Sequence, residues 1–303
     1  MTSFCIASPH KNELWYDYRL YVNLKAELVR MGFQYRAASK NRIYLLGGPE
    51  RYFYHEVGRF DPDANNLALI YCHSEKLKAI NHFTRIFVCS DGVRQFLNRK
   101  KLYRLEFLQK NGKFSTDQPL DIIRPFSSLE PTLVTRPRYQ CDISFVGTPR
   151  IRPILEAVLP YVEKHGWKLN LYGPNWDSYG GNPLAQKYWT ATNVPYEDIP
   201  LLARGCKICL IDHHATMNRI GSVSHKYIDF IKAGGFVISD WNKDAKQFYK
   251  GVCFRTPEHL VKQIELYLDA PELREKQKIY QQDIVAQQST GAVARQLANY
   301  FIE

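Results

Sequence analysis

Lys226 and Asp229 stand three residues apart in the run Gly221–Asp240, GSVSHKYIDFIKAGGFVISD. On a helix that spacing puts an ammonium and a carboxylate on one face. The run opens as a small, flexible loop and continues as an amphipathic helix. It breaks at Gly234-Gly235 and ends in the apolar Phe236-Val237-Ile238 before Asp240. Such a unit can hold a nucleoside diphosphate: loop amides and the helix N-terminus face phosphate, the lysine neutralises charge, and the carboxylate accepts ribose hydroxyls. An ordinary βαβ repeat, with glycines closing a helix and a surface ion pair, explains the same residues. The neighbouring sequence has to decide between them.

The elements needed to position such a unit are present on both sides of it. In the first half, Phe4–Ala7, Ile43–Leu46, Leu67–Cys72 and Ile86–Cys89 read as strands, and Leu14–Met31 as a helix with Leu20, Leu24, Leu28 and Met31 at helical spacing. Pro125, Pro131 and Pro137 punctuate Pro125–Arg138, a linker pattern. A second series follows. Asp142–Val146, Lys168–Tyr172 and Lys207–Ile211 read as strands, and Ile154–Lys164, Ile199–Ala203, Pro257–Leu268, Pro271–Gln287 and Ala292–Phe301 as helices. Strands alternating with helices predict two Rossmann-like α/β halves with parallel sheets, and ligand at the carboxyl ends of the strands.

The 303 residues are 45% hydrophobic and 23% charged, which excludes a disordered chain. No apolar run reaches the ~20 residues of a membrane span, and the N-terminus lacks the basic-then-apolar pattern of a secretory signal. Seven cysteines, several inside strand-like runs, fit a reduced cytoplasmic compartment. Cys206-Lys-Ile-Cys209 has CxxC spacing, but no second pair completes a metal site, so none is expected.

The net charge is +11, with 20 Lys/Arg against 13 Asp/Glu through Glu130 and 21 against 17 thereafter. Arg94–Lys113 holds seven basic residues and one acid, interleaved with Phe96, Tyr103 and Phe107. That mixture suits a polyanion, either nucleic acid or an anionic membrane. A solvated helix face followed by a basic loop explains it as well.

Four second-half segments, DISFVGTPRIRPILEAVLPYV, WKLNLYGPNWDS, YEDIPLLARGCKICLIDHH and GSVSHKYIDFIKAGGFVISD, resemble in order and spacing the C-terminal domain of GT-B glycosyltransferases. They are most similar to the spore-maturation CgeB-like group, and the tail LVKQIELYLDAPELREKQ extends the match. In the first half LALIYCHSEKL, TRIFVCSDGVRQFL and IIRPFSSLEP match more weakly. The resemblance implies two Rossmann-like domains facing across a cleft. The N-terminal acceptor domain would span 1–135 and the C-terminal nucleotide-sugar-binding domain 136–287, with a C-terminal helix at 288–303 crossing back to the first.

The resemblance also implies a metal-independent hexosyl- or pentosyltransferase using a nucleotide-diphosphate sugar, a UDP-sugar first. It places Gly147, Thr148, Tyr172 and Gly173 at donor-facing strand ends and Val194, Pro195 and Tyr196 along the base. Ser222, Ser224, His225 and Lys226 fall on the diphosphate and Asp229 on the ribose. Within Asp212-His213-His214, adjacent side chains alternate, so one histidine, His213, is assigned to the donor. Two departures stand out. The group usually has Arg and Glu where Lys226 and Asp229 stand, and Gly221 occupies the position where retaining relatives carry a first glutamate.

Glycosyl transfer needs the leaving diphosphate stabilised and the acceptor hydroxyl deprotonated. Base candidates after first-half strands are His73, His10, Asp17 and Asp91. Arg94, Arg99, Lys100, Lys101 and Arg104 are the candidate acceptor contacts. The expected acceptor is a hydroxyl on a membrane-associated surface glycan or lipopolysaccharide precursor. The alternatives are hydroxymethylated bases in DNA, as in phage enzymes, and a non-catalytic nucleic-acid- or surface-binding protein on a degenerate GT-B scaffold. The expected location is cytoplasmic, peripheral at the inner membrane surface, or the host cytoplasm if phage-encoded.

Overall fold

The computed structural model describes residues 1–8, 10–11, 16–46, 57, 60–71, 83–103 and 120–303, with backbone alone for 99–103. It divides into two compact units. Unit 1 is Met1–Phe126 with Arg219–Ser222 and Gln288–Glu303, and unit 2 is Ser127–Asn218 with Val223–Gln287. Pro131 and Pro137 therefore belong to unit 2.

In unit 1, β1 (Ser3–Ala7), β2 (Gln34–Tyr35), β3 (Asn41–Leu46), β4 (Asn65–Ile70), β5 (Arg85–Val88) and β6 (Leu120–Ile122) form one sheet in the order β2-β1-β3-β4-β5-β6. Every pairing is parallel. β3 and β4 are buried at every position. A strand covered on both faces reads as a continuous apolar run, which is why these strands do not alternate. Helix α1 (Tyr16–Arg30) turns Leu20, Leu24 and Leu28 into the core. Helix α2 (Asp91–Tyr103) begins where the Ser90 hydroxyl accepts from the Val93 amide.

Unit 2 runs β7 (Cys141–Val146), α3 (Pro153–His165), β8 (Leu169–Tyr172), α4 (Leu184–Lys187), β9 (Trp189–Ala191), α5 (Ile199–Gly205), β10 (Cys206–Ile211), α6 (Ala215–Ile220), α7 (His225–Lys232), β11 (Val237–Asp240), α8 (Lys243–Gln247), β12 (Val252–Phe254), α9 (Pro257–Asp269) and α10 (Pro271–Val285). The last residues of α6 count with unit 1. Its sheet order is β12-β11-β10-β7-β8-β9, again all parallel. Counted within the unit this is the doubly wound order 3-2-1-4-5-6, whose switch point lies between β7 and β10.

Helix α11 (Thr290–Ala298) returns to unit 1 and packs on α1. The residues after it are held by main-chain bonds to two buried asparagines. Asn41 donates to the Ile302 carbonyl and accepts from its amide, each at 2.8 Å, and Asn65 donates to the Tyr300 carbonyl at 2.7 Å. Phe301 stacks on Phe4 with ring centroids 6.1 Å apart.

The strands absent from the sequence reading are β2, β6, β9 and β12, the four sheet edges. Each has two or three residues, too few for a periodicity to register.

Candidate active site

Leaving β7, the chain passes through Gly147 and Thr148 to Arg150 and Arg152, and leaving β10 it reaches Asp212. These two strand ends are pinned together. One guanidinium nitrogen of Arg152 lies 2.8 and 3.0 Å from the two Asp212 oxygens, while the rest of that guanidinium donates to the Thr148 carbonyl at 2.8 and 2.9 Å. Arg150 reaches Asp212 at 3.1 Å. Lys226, in the first turn of α7, donates to the Val146 carbonyl at 2.7 Å, and both Lys226 and Arg152 lie over the Phe145 ring. Three cations thus surround one carboxylate at the switch point, leaving an uncompensated net positive charge.

The helix adds to that field. Ser224 occupies the N-cap of α7 without capping it, and its hydroxyl is buried with no partner among the described residues. The helix presents its first-turn amides at the same end. His225 and Lys226 keep some solvent access but sit deep among protein atoms. Burial lowers the His225 imidazole to about 3. It lowers the Lys226 ammonium to about 8, with Asp212 opposing the shift and Arg152 and Arg150 adding to it. His225 is therefore neutral, supplies at most a hydrogen bond, and leaves the positive charge to Lys226, Arg150 and Arg152.

One helical turn on, Asp229 is buried and accepts from Ser127 at 2.6 Å and from the Tyr196 hydroxyl at 3.1 Å. Both bonds fall on the same oxygen. Burial and the Asp229 charge push the Tyr196 phenol up, so it remains a donor. Val194 and Pro195 lead into the 3-10 turn that carries Tyr196. Gly173, at φ +139°, approaches Gly147 so closely that a Cβ would stand 1.9 Å from the Gly147 carbonyl oxygen. Only glycine fits there.

Other expected residues lie elsewhere. The Tyr172 side chain is buried in the core beside Tyr139, bonded to Asn170 and the Arg138 carbonyl, so only its backbone borders the strand end. His213 turns into the protein, bonding Asp240 at 2.6 Å, with Asn218 on the other Asp240 oxygen. Ser222 counts with unit 1.

In unit 1, β1 ends at the switch point of its own sheet, and there His10 Nδ1 lies 2.8 Å from Asp17. Asp17 is buried in the first turn of α1, with the Ser8 hydroxyl also directed at it. Asp91 instead forms ion pairs with Arg94 at 2.7 Å and Arg124 at 2.8 Å. His73 and Arg104 lie outside the described residues, as do the side chains of Arg99, Lys100 and Lys101.

Sequence reasoning missed Arg150, Arg152 and Ser127. A signal existed for the arginines: two bases at i and i+2, three and five residues after the glycine that follows a strand, are placed to meet an anion at a switch point.

Residues 150–299 match the family described as Glycosyl transferase-like. No curated protein matches the sequence. Among solved structures, the DNA modifying enzyme beta-glucosyltransferase is similar at a TM-score of 0.59 and 11% identity, over 98% of this chain and 97% of that one. T4 phage BGT in complex with UDP and Mn²⁺ gives 0.58 and 11%, over 99% and 98%. The chain is a glycosyltransferase with the GT-B fold. Sucrose-phosphate synthase from Thermosynechococcus elongatus shares the fold with this glycosyltransferase at 0.63 and 12% identity, over 99% and 98%. No described helix of the glycosyltransferase is long and apolar enough to cross a membrane.

Proposed function

We propose that the enzyme transfers a sugar from a UDP-sugar to a hydroxyl of an anionic, membrane-associated glycan precursor, in the manner of the CgeB-like group. The observation that carries the donor half is the cluster of Arg150, Arg152 and Lys226 around Asp212 at the unit 2 switch point. In this reading the bond from C1 of the sugar to the diphosphate breaks, and the acceptor oxygen bonds to C1. The departing diphosphate is stabilised by Lys226, the arginines and the α7 amides with the Ser224 hydroxyl. Those groups supply the charge a metal would bring, so no metal is required. Asp229, oriented by Ser127 and Tyr196, accepts ribose hydroxyls, and the backbone of Val194–Tyr196 runs along the base.

The acceptor proton goes to His10. With Nδ1 turned to Asp17, its Nε2 is the basic nitrogen, and Asp17 steadies the imidazolium that forms. Asp17 is in this reading a positioning residue.

Thermal stabilisation by UDP-, GDP-, ADP- and CMP-sugars is the test. A donor at ~100 times its dissociation constant should add about 2.7 kcal/mol. We expect this from a UDP-sugar, undiminished by chelator. No response to any donor sinks the reading. A second reading, a hydroxymethylated base in DNA as acceptor, is favoured by the full-length likeness to a DNA-modifying enzyme and the net charge of +11. Transfer of labelled sugar to hydroxymethylcytosine duplex, with none to lipid-linked glycan, would select it.

A further inference from the structure

At the opposite end of the unit 2 sheet, where β7 and β10 begin, two cavities of about 410 and 160 Å³ share Arg204, Gly205 and Lys207 as a common wall. A six-residue strand separates this edge from the donor site, a span of about 20 Å. Lys168 lines the larger cavity, and Arg274 and Lys278 line the smaller. Five cations face two carboxylates there, Asp142 and Glu275. Lys207 is paired with Asp142 at 2.7 Å and Lys278 with Glu275 at 2.5 Å, while Arg274 donates to the Tyr267 carbonyl. Lys168 and Arg204 have no ion pair among the described residues.

Helix electrostatics explain only part of this. Arg204 sits in the last turn of α5, where a cation offsets the carbonyl end. Arg274 lies near the amide end of α10, where a cation is unfavourable.

An irregular strap, residues 131–135, runs between the two cavities. Pro131 packs by Gly234, which lines the smaller cavity, and Thr135 lines the larger. Between them Leu133 is 88% exposed and Val134 58%. Among the described large hydrophobic side chains only Met1 is more exposed than Leu133.

We propose that this edge docks on an anionic phospholipid surface. Leu133 and Val134 enter the boundary between headgroups and acyl chains, and the two cavities take lipid phosphates at Lys168, Arg204 and Lys207. A bilayer rewards the apolar pair and the cations together. A nucleic-acid backbone offers nothing to the aliphatic pair. The docking is independent of the donor assignment.

The test is co-sedimentation with vesicles of phosphatidylcholine alone and with about one-quarter phosphatidylglycerol, where each basic residue near the surface is worth about fivefold in affinity. The wild type should bind the anionic vesicles only. Lys168→Glu with Arg204→Glu should weaken binding more than tenfold. Leu133→Asp with Val134→Asp should abolish the binding that survives high salt. Both double variants should keep the wild-type melting temperature and the wild-type response to UDP, showing intact folding and an intact donor site. Equal binding to both vesicle types, or no effect of either double variant, overturns the proposal. So does a result in which Lys168→Glu/Arg204→Glu loses affinity only for duplex DNA or only for inorganic phosphate.

Discussion

Arg152 and Asp212, sixty positions apart in sequence, meet at 2.8 Å and join the ends of two adjacent strands at the switch point. Removing one partner leaves a buried charge uncompensated, a loss of about 3–5 kcal/mol. Asp212→Ala should shift the urea midpoint accordingly with an unchanged m-value. Arg152→Lys keeps the charge but cannot hold Thr148 and Asp212 at once, so it should lose UDP affinity as well as stability.

Lys226 should make donor binding pH-dependent. Its ammonium, lowered to about 8 in the free protein, is drawn upward by a bound diphosphate, so binding takes up a proton in the alkaline range. The dissociation constant for UDP should rise up to about tenfold per pH unit above about 8. In Lys226→Met, calorimetric titration should show weaker binding and a flattened profile.

His225 acts on stability with the opposite edge of the pH scale. The unfolded imidazole protonates near about 6.5 and the folded one near about 3, so between those values the unfolded state holds more protons. Stability from this site is complete above about 6.5 and is lost as pH falls toward 3. His225→Asn should narrow its deficit relative to wild type through that window. A constant difference across it would refute the assignment.

Gly173→Ala should be severe for a change of one methyl group. Its φ of +139° and the 1.9 Å approach to the Gly147 carbonyl combine strain with a backbone clash. A loss above about 3 kcal/mol and reduced UDP affinity are expected, because relief requires moving Gly147 at the end of β7.

Asn41→Ala should release the chain end. Asn41 is 3% exposed and serves Ser3, Asn65 and both polar groups of Ile302, so truncation strands the buried Asn65 amide and partly buried main-chain groups, at about 1–2 kcal/mol. Amide exchange at Ile302 should accelerate well beyond the change at Leu24.

Legibility in the sequence followed burial and locality. Central strands such as β3 and β10 were readable because covered strands are continuous apolar runs. Lys226 and Asp229 could be paired as candidates because they lie within one short segment. Arg152 was not, since its meaning comes from Asp212, which only the parallel pairing of β7 with β10 brings near. Tyr172 misled because position at a strand end does not reveal which face the ring takes. Ser127 carried no signal at all: its partner Asp229 is 102 positions away.

The return of residues 288–303 to unit 1 has a consequence for synthesis. Unit 2 is finished before the segment that completes unit 1 exists. At roughly 5–20 residues per second, the first 126 residues wait about ten to thirty seconds for the tail that seals Asn41 and Asn65. For most of that interval unit 2 is itself being made, and unit 1 stands with its last seam open while its neighbour in the chain is completed.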